Sequence, residues 1–193
     1  MNIHKSTAQY EAWAAKHLTL LHADLDLKHT RMAEGRFAFL RATFYRWMQR
    51  WEEACPALGR APRVLGIGDL HVENFGTWSD AEGRLVWGIN DFDEAFDLPY
   101  TQDLVRLAAS ALVAAQEGRL DIVPHAVSEA ILAGYREALA SGGVAARGCR
   151  KNGRVRERRF PRVEKQAAGA GIGEFGEVTP WEISRVLISS AAE

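Results

Sequence analysis

Asp69 leaves a short apolar run in Gly68-Asp69-Leu70-His71-Val72-Glu73-Asn74, and Asp91 stands seventeen residues beyond Asn74 in Ile89-Asn90-Asp91-Phe92-Asp93-Glu94. Two carboxylates and an amide brought together in this way make a compact, oxygen-rich site. Phosphoryl transfer with Mg²⁺ needs such a site: one aspartate accepts or orients the proton of the attacking hydroxyl, and an asparagine and a second aspartate hold the cation that bridges the donor phosphates. Mg²⁺ keeps several of its own waters, so one carboxylate and one amide suffice from the protein. We therefore assign Asp69 to catalysis and Asn74 and Asp91 to the metal, with Asp93 in reach of a second cation. Gly68 and His71 are expected to support the loop, Glu94 to be a turn residue at the surface, and Glu73 to face solvent.

Two rival motifs overlap these residues. His71-Val72-Glu73 matches the His-x-Glu of zinc deaminases, but the accompanying Pro-Cys-x-x-Cys is absent, which leaves the metal too few ligands. Asp91-Phe92-Asp93 is the Asp-x-Asp of metal-dependent glycosyltransferases; it is short, and that reading leaves Asp69 and Asn74 without a role.

The charge balance points to the same segment. The chain has 193 residues and a formal net charge of −1. Residues 1–142 hold 14 basic and 19 acidic residues, a net of −5, whereas residues 143–193 hold 10 and 6, a net of +4. Between residues 66 and 103, nine carboxylates accompany a single base, Arg84. Carboxylates folded close together repel unless a cation compensates, and a divalent metal is the simplest one; a solvated acidic surface is the alternative reading of such a run. With 47% hydrophobic and 25% charged residues the chain can build a real core, which excludes a disordered or collagen-like polymer. Two distant cysteines, Cys55 and Cys149, support neither a disulfide framework nor a structural zinc site. No apolar leader or run of roughly 20 apolar residues is present, so a cytoplasmic protein without a membrane span is expected.

The elements that must position the site follow from periodicity. Trp13, His17, Leu20, Leu21 and Leu25, and then Phe37, Leu40, Phe44, Trp47, Met48 and Trp51, recur at helical steps, which predicts two amphipathic helices with core-packed aromatic stripes before residue 55. Val64-Leu65-Gly66-Ile67 reads as a buried strand that delivers Gly68-Asp69. Residues 74–78 and 84–90 read as a hairpin closed by a glycine suited to positive φ, Gly83. Leu104 to Ala115 marks a helix stopping at Gly118, and a second helix starts at Pro124 and ends before Gly142-Gly143.

The strings GDLHVEN, NDFDEA and Asp97-Leu98-Pro99-Tyr100-Thr101-Gln102-Asp103-Leu104 resemble the aminoglycoside phosphotransferase and choline kinase branch of the protein-kinase-like superfamily. With Arg36 to Arg41 upstream and Asp103 to Ser110 downstream, the closer resemblance is to the bacterial family called Domain of Unknown Function 2252. The resemblance spans roughly residues 1–140. It implies an α+β fold like the C-terminal, catalytic lobe of a kinase, mostly helical with a small antiparallel hairpin sheet. It places Asp69 as the catalytic-loop aspartate, Asn74 and Asp91 as metal ligands, and Asp103 as a buried aspartate bracing the loop. ATP and Mg²⁺ are the implied cofactors, with a small-molecule or protein hydroxyl as acceptor. Ile67 departs from the histidine usual in the antibiotic kinases, so bracing of the loop must differ.

Nothing in residues 1–63 reads as the glycine-rich strands and lysine of a nucleotide lobe, which is therefore expected to be largely missing. Gly171-Ile172-Gly173-Glu174-Phe175-Gly176 fits a kinase phosphate loop, with Gly171, Gly173 and Gly176 as nucleotide-binding candidates, but no lysine follows. Residues 143–193 read as a basic tail, and a truncated or frame-shifted continuation is the expected cause of its composition. With no recognisable nucleic-acid-binding fold, it is not expected to bind nucleic acid. The sequence reading is thus a phosphotransferase-like domain over residues 1–142, with a non-catalytic binding module as the alternative and a glycosyltransferase as a minor one; oligomeric state is not legible.

Overall fold

The computed structural model describes residues 2–79 and 82–141. They form an α+β unit with the order α1 (Ile3–Ala14), α2 (His22–Glu34), α3 (Arg36–Ala42), α4 (Phe44–Ala54), β1 (Arg63–Gly66), β2 (Phe75–Ser79), β3 (Leu85–Ile89), β4 (Phe96–Pro99), α5 (Thr101–Glu117) and α6 (Pro124–Ala140). The expected helix across residues 13–25 does not exist: α1 ends at Ala14 and α2 begins only at His22. Trp13 and Leu21, assigned to a core stripe, are exposed. The second expected helix is divided at Thr43, whose φ of −127° and ψ of 39° leave the helical region. Its hydroxyl instead donates back to the Phe39 carbonyl at 2.7 Å, a local bond that competes with helix continuation.

The hairpin is present, as β2 and β3 paired antiparallel from Phe75↔Ile89 to Ser79↔Leu85, with Gly83 at φ +75°. A second two-stranded sheet, β1 against β4 with Arg63↔Pro99 and Gly66↔Phe96, was not foreseen. Among the described strands β1 pairs with β4 alone, and Val64 and Leu65 are exposed, contrary to the buried strand expected from their apolar character. The pairing matters for function, since it fixes where Asp69 leaves the strand.

Trp51, Cys55 and Leu58 pack on Leu104, Val105 and Ala108 of α5 and Leu132 of α6. Val105 and Leu98 are wholly buried, each contributing about 2–3 kcal/mol relative to an exposed side chain. Burial lifts the Cys55 thiol to a pKa of about 12. Helix α3 has no side-chain cap of its own; Glu117, at the end of α5, accepts the Phe37 N–H at 3.1 Å and places its charge at the positive helix start. Helix α5 is therefore the keel of the described unit, and it also carries two residues of the site. Among the described residues no helix is long and apolar enough to cross a membrane. Gly171, Gly173, Gly176 and the expected basic tail lie outside the described residues.

Candidate functional site

Asp69 sits in the turn that follows β1, and that turn is held from α5. The Asp103 carboxylate accepts the Ile67 N–H at 2.7 Å and the Gly68 N–H at 3.0 Å, one on each oxygen. Burial raises the Asp103 pKa above the ordinary value, a shift opposed by those two amides and by the Arg106 charge. Gly68 has φ +83°, and a Cβ there would collide with the Glu94 carbonyl oxygen. The chain thus needs glycine at this point for both conformation and space. The close approach also locks the Asp69 turn against the Asp91–Glu94 turn.

Asn74 joins the same two turns. Its amide nitrogen donates to the carbonyls of Asp69 at 3.3 Å and Asp91 at 3.2 Å, and its Oδ1 accepts the Asp91 N–H at 2.9 Å. Asn74 is 4% exposed, so it acts from within the fold. Asn74 precedes β2 and Asp91 follows β3, and the hairpin register brings their ends together, with the Asn90 N–H on the Asn74 carbonyl at 2.9 Å. Asp93 donates its N–H to Asp91 Oδ1 at 3.1 Å, and both residues are exposed.

Arg106, which the sequence reading did not single out, is the third element. It is 1% exposed, and its guanidinium grips Asp69 Oδ1 through Nε at 2.8 Å and through Nη2, which also donates to the Leu40 carbonyl at 2.8 Å. The rings of Phe44 and Trp47 lie 5.0 and 5.2 Å from its Cζ. Desolvation lowers its pKa and Asp69 raises it again. An arginine amid apolar α5 residues such as Val105 and Leu107 was the available sequence signal, because a buried cation requires a buried partner. Asp69 Oδ2 is left on the other side, 3.8 Å from His71 Nε2.

His71 is buried edge-on to the Phe37 ring, centroids 6.0 Å apart. Desolvation, with Arg41 and Arg106, outweighs Asp69 and Glu73 and lowers its pKa. Glu73 turns outward to Arg41 at 2.7 Å. His71 and Glu73 therefore diverge, which disposes of the deaminase-like motif.

Asp69, His71, Asp91, Asp93 and Glu94 line one cleft of about 470 Å³ with residues of α2 and α3. Desolvation first, and then the charges of Asp69, Asp91 and Asp93, raise the Glu94 pKa. Among the described residues no group of three or more His, Cys, Asp or Glu is arranged to hold a metal. That does not conflict with Mg²⁺, which takes one or two carboxylates and completes its shell with water and phosphate.

Residues 20–167 match the family described as an uncharacterized protein conserved in bacteria, DUF2252. The chain belongs to this family. The DUF2252 match contains every site residue from Asp69 to Arg106 and continues past the expected boundary at residue 142. No curated protein matches the chain, and no solved structure does so.

Proposed function

We propose that the cleft is the site of a Mg²⁺-dependent phosphotransferase acting on a hydroxyl acceptor, with ATP as donor and a kinase-like catalytic lobe as its ancestry. The observation that carries this reading is the joining of the Asp69 and Asp91 turns by Asn74, which sets three aspartates on one cleft. Asp69 Oδ2 is the oxygen left to orient an acceptor hydroxyl, since Oδ1 is taken by Arg106. The exposed carboxylates of Asp91 and Asp93 would hold the cation, and Asn74 fixes the turn that carries them, with a second Oδ1 lone pair remaining. Bound there, Mg²⁺ supplies charge neutralisation for the phosphates. The resemblance of GDLHVEN and NDFDEA to the aminoglycoside phosphotransferase branch supports the same assignment.

A second reading, binding without turnover, is favoured by the Arg106–Asp69 pair, because a carboxylate oxygen held by a buried guanidinium accepts a proton poorly in mid-reaction. Calorimetric titration of the full chain with ATP and Mg²⁺, beside Asp91→Ala, tests both readings. Binding that requires Mg²⁺ and Asp91, accompanied by ADP formation, is the expected result for the phosphotransferase. Binding with no ADP formation in the presence of varied hydroxyl acceptors selects the second reading. No heat with either protein removes both.

A further inference from the structure

The cleft has a second wall that neither reading uses. Helix α2 has no buried residue and places Asp24, Leu27, Lys28 and Arg31, spaced as one helical face, along the cleft. Arg41 of α3 adds a cation that is committed to Glu73. Lys28 and Arg31, by contrast, have no carboxylate within ion-pair distance among the described residues, although Asp69, Asp91, Asp93 and Glu94 line the same cleft. On the α2 wall Lys28 and Arg31 outnumber Asp24, so that wall is net positive and stands opposite the carboxylates of the other. A ligand touching both must therefore present negative charge to α2 and positive charge to the aspartates, which is the charge pattern of a phosphate with a divalent cation.

Lys28 also borders a second cavity of about 330 Å³, lined by Tyr10, Phe44, Tyr45 and Met48. Lys28, Arg41, Ala42 and Glu94 line both cavities, so the two adjoin. The Lys28 ammonium is 5.0 Å from the Tyr10 ring centroid and 5.7 Å from that of Tyr45, and those two rings are stacked at 4.4 Å. Ring faces hold a cation without cancelling its charge, which keeps Lys28 available to an anion at the junction. The Tyr45 hydroxyl is fixed by Thr7 at 2.8 Å, so the aromatic floor is anchored between α1 and α4.

We propose that Lys28 and Arg31 bind the phosphate groups of an organic phosphate whose flat, apolar part enters the Tyr10–Phe44–Tyr45–Met48 cavity. The proposal rests on the phosphotransferase reading for the cation side and names the ligand class: a phosphate ester carrying an aromatic group, either a nucleoside phosphate or an aryl phosphate. Helix α2 then supplies the phosphate cations.

The test is calorimetric titration of the full chain and its variants with ADP, pyrophosphate and phenyl phosphate, each with and without Mg²⁺. Lys28→Met and Arg31→Gln are each expected to weaken ADP and pyrophosphate about tenfold, as loss of one charge-assisted contact would. Tyr10→Leu is expected to weaken ADP about threefold and leave pyrophosphate unchanged, as loss of one ring contact would. Stronger binding of ADP than of phenyl phosphate identifies a nucleotide, and the reverse identifies a smaller aryl phosphate; either supports the site. Unchanged affinity for ADP and pyrophosphate in the Lys28→Met/Arg31→Gln double variant, with native circular dichroism, overturns it. Asp91→Ala separates the two ideas. Loss of Mg²⁺-dependent binding in Asp91→Ala alone keeps the phosphotransferase reading and removes the α2 site. Mg²⁺-independent ADP binding that needs Lys28 and Arg31 but not Asp91 does the opposite. No binding of any probe by the native chain removes both.

Discussion

Arg106→Met removes the charge that faces Asp69 while keeping a flexible apolar stem. The native guanidinium makes two donor contacts to Asp69 Oδ1 and one to the Leu40 carbonyl, and lies beside two aromatic rings. Breaking a buried ion pair from one side costs about 3–5 kcal/mol, because the remaining charge is left unpaired. The Asp69 side chain keeps 15% of its exposure and borders the cleft, so water can reach it, which places the expected loss at the lower end, about 3 kcal/mol. That is a large share of the 5–15 kcal/mol of a typical domain. Urea unfolding followed by tryptophan fluorescence reads it directly, with an unchanged slope showing that the native state has stayed compact. Asp69→Asn combined with Arg106→Met removes both charges, and the double variant is expected to recover about 2 kcal/mol relative to the sum of the single losses. Arg106→Lys keeps a charge but lacks the planar fork that serves Asp69 and Leu40 together, so it should fall between the native chain and Arg106→Met. A cost below about 1 kcal/mol for Arg106→Met, or strict additivity in the double variant, would refute the claim that this pair holds the Asp69 turn.

Gly68→Ala forces a side chain into the left-handed region and onto the Glu94 carbonyl, and a loss of about 2–3 kcal/mol or failure to fold is expected in the same urea assay. Asp103→Asn keeps one acceptor for the Ile67 and Gly68 amides and turns an NH₂ toward the other, costing about 1–2 kcal/mol. Its pH dependence has a definite sign. The folded pKa of Asp103 is raised, so its protonation favours the folded state; that contribution is complete below the unfolded value and is lost as pH rises through the folded value. The native chain should therefore exceed Asp103→Asn in stability by more at pH 4 than at pH 7, and an equal gap at both would contradict the assignment. Cys55, 3% exposed and with its pKa near 12, should react with a disulfide reagent at least about a hundredfold more slowly in folded than in unfolded Cys149→Ser protein. Comparable rates would show that the α4–α5 core opens readily.

Much of the site was legible because its residues are close in sequence or sit at strand ends. The turn after β1, the hairpin closed near Gly83, and the helix from Pro124 each follow from local chemistry that neighbours a few residues away can enforce. Their local signals agree with the tertiary fold. The helix boundary near residue 14 was misread because Trp13 and Leu21 have helical spacing yet no core to face. Periodicity reports a possible apolar stripe and not whether anything packs against it.

The sequence by itself determined the α+β class, the acidic loop and the spacing that sends Asp69, Asn74 and Asp91 to neighbouring strand ends. Only the tertiary structure decided that Arg106, 37 residues from Asp69 along the chain, lies against its carboxylate, and that Lys28 and Arg31 face the aspartates across a cleft. The physical reason is the range of the forces. Turn geometry and strand alternation act between residues a few positions apart, whereas charge pairing acts between groups that packing brings together from distant segments.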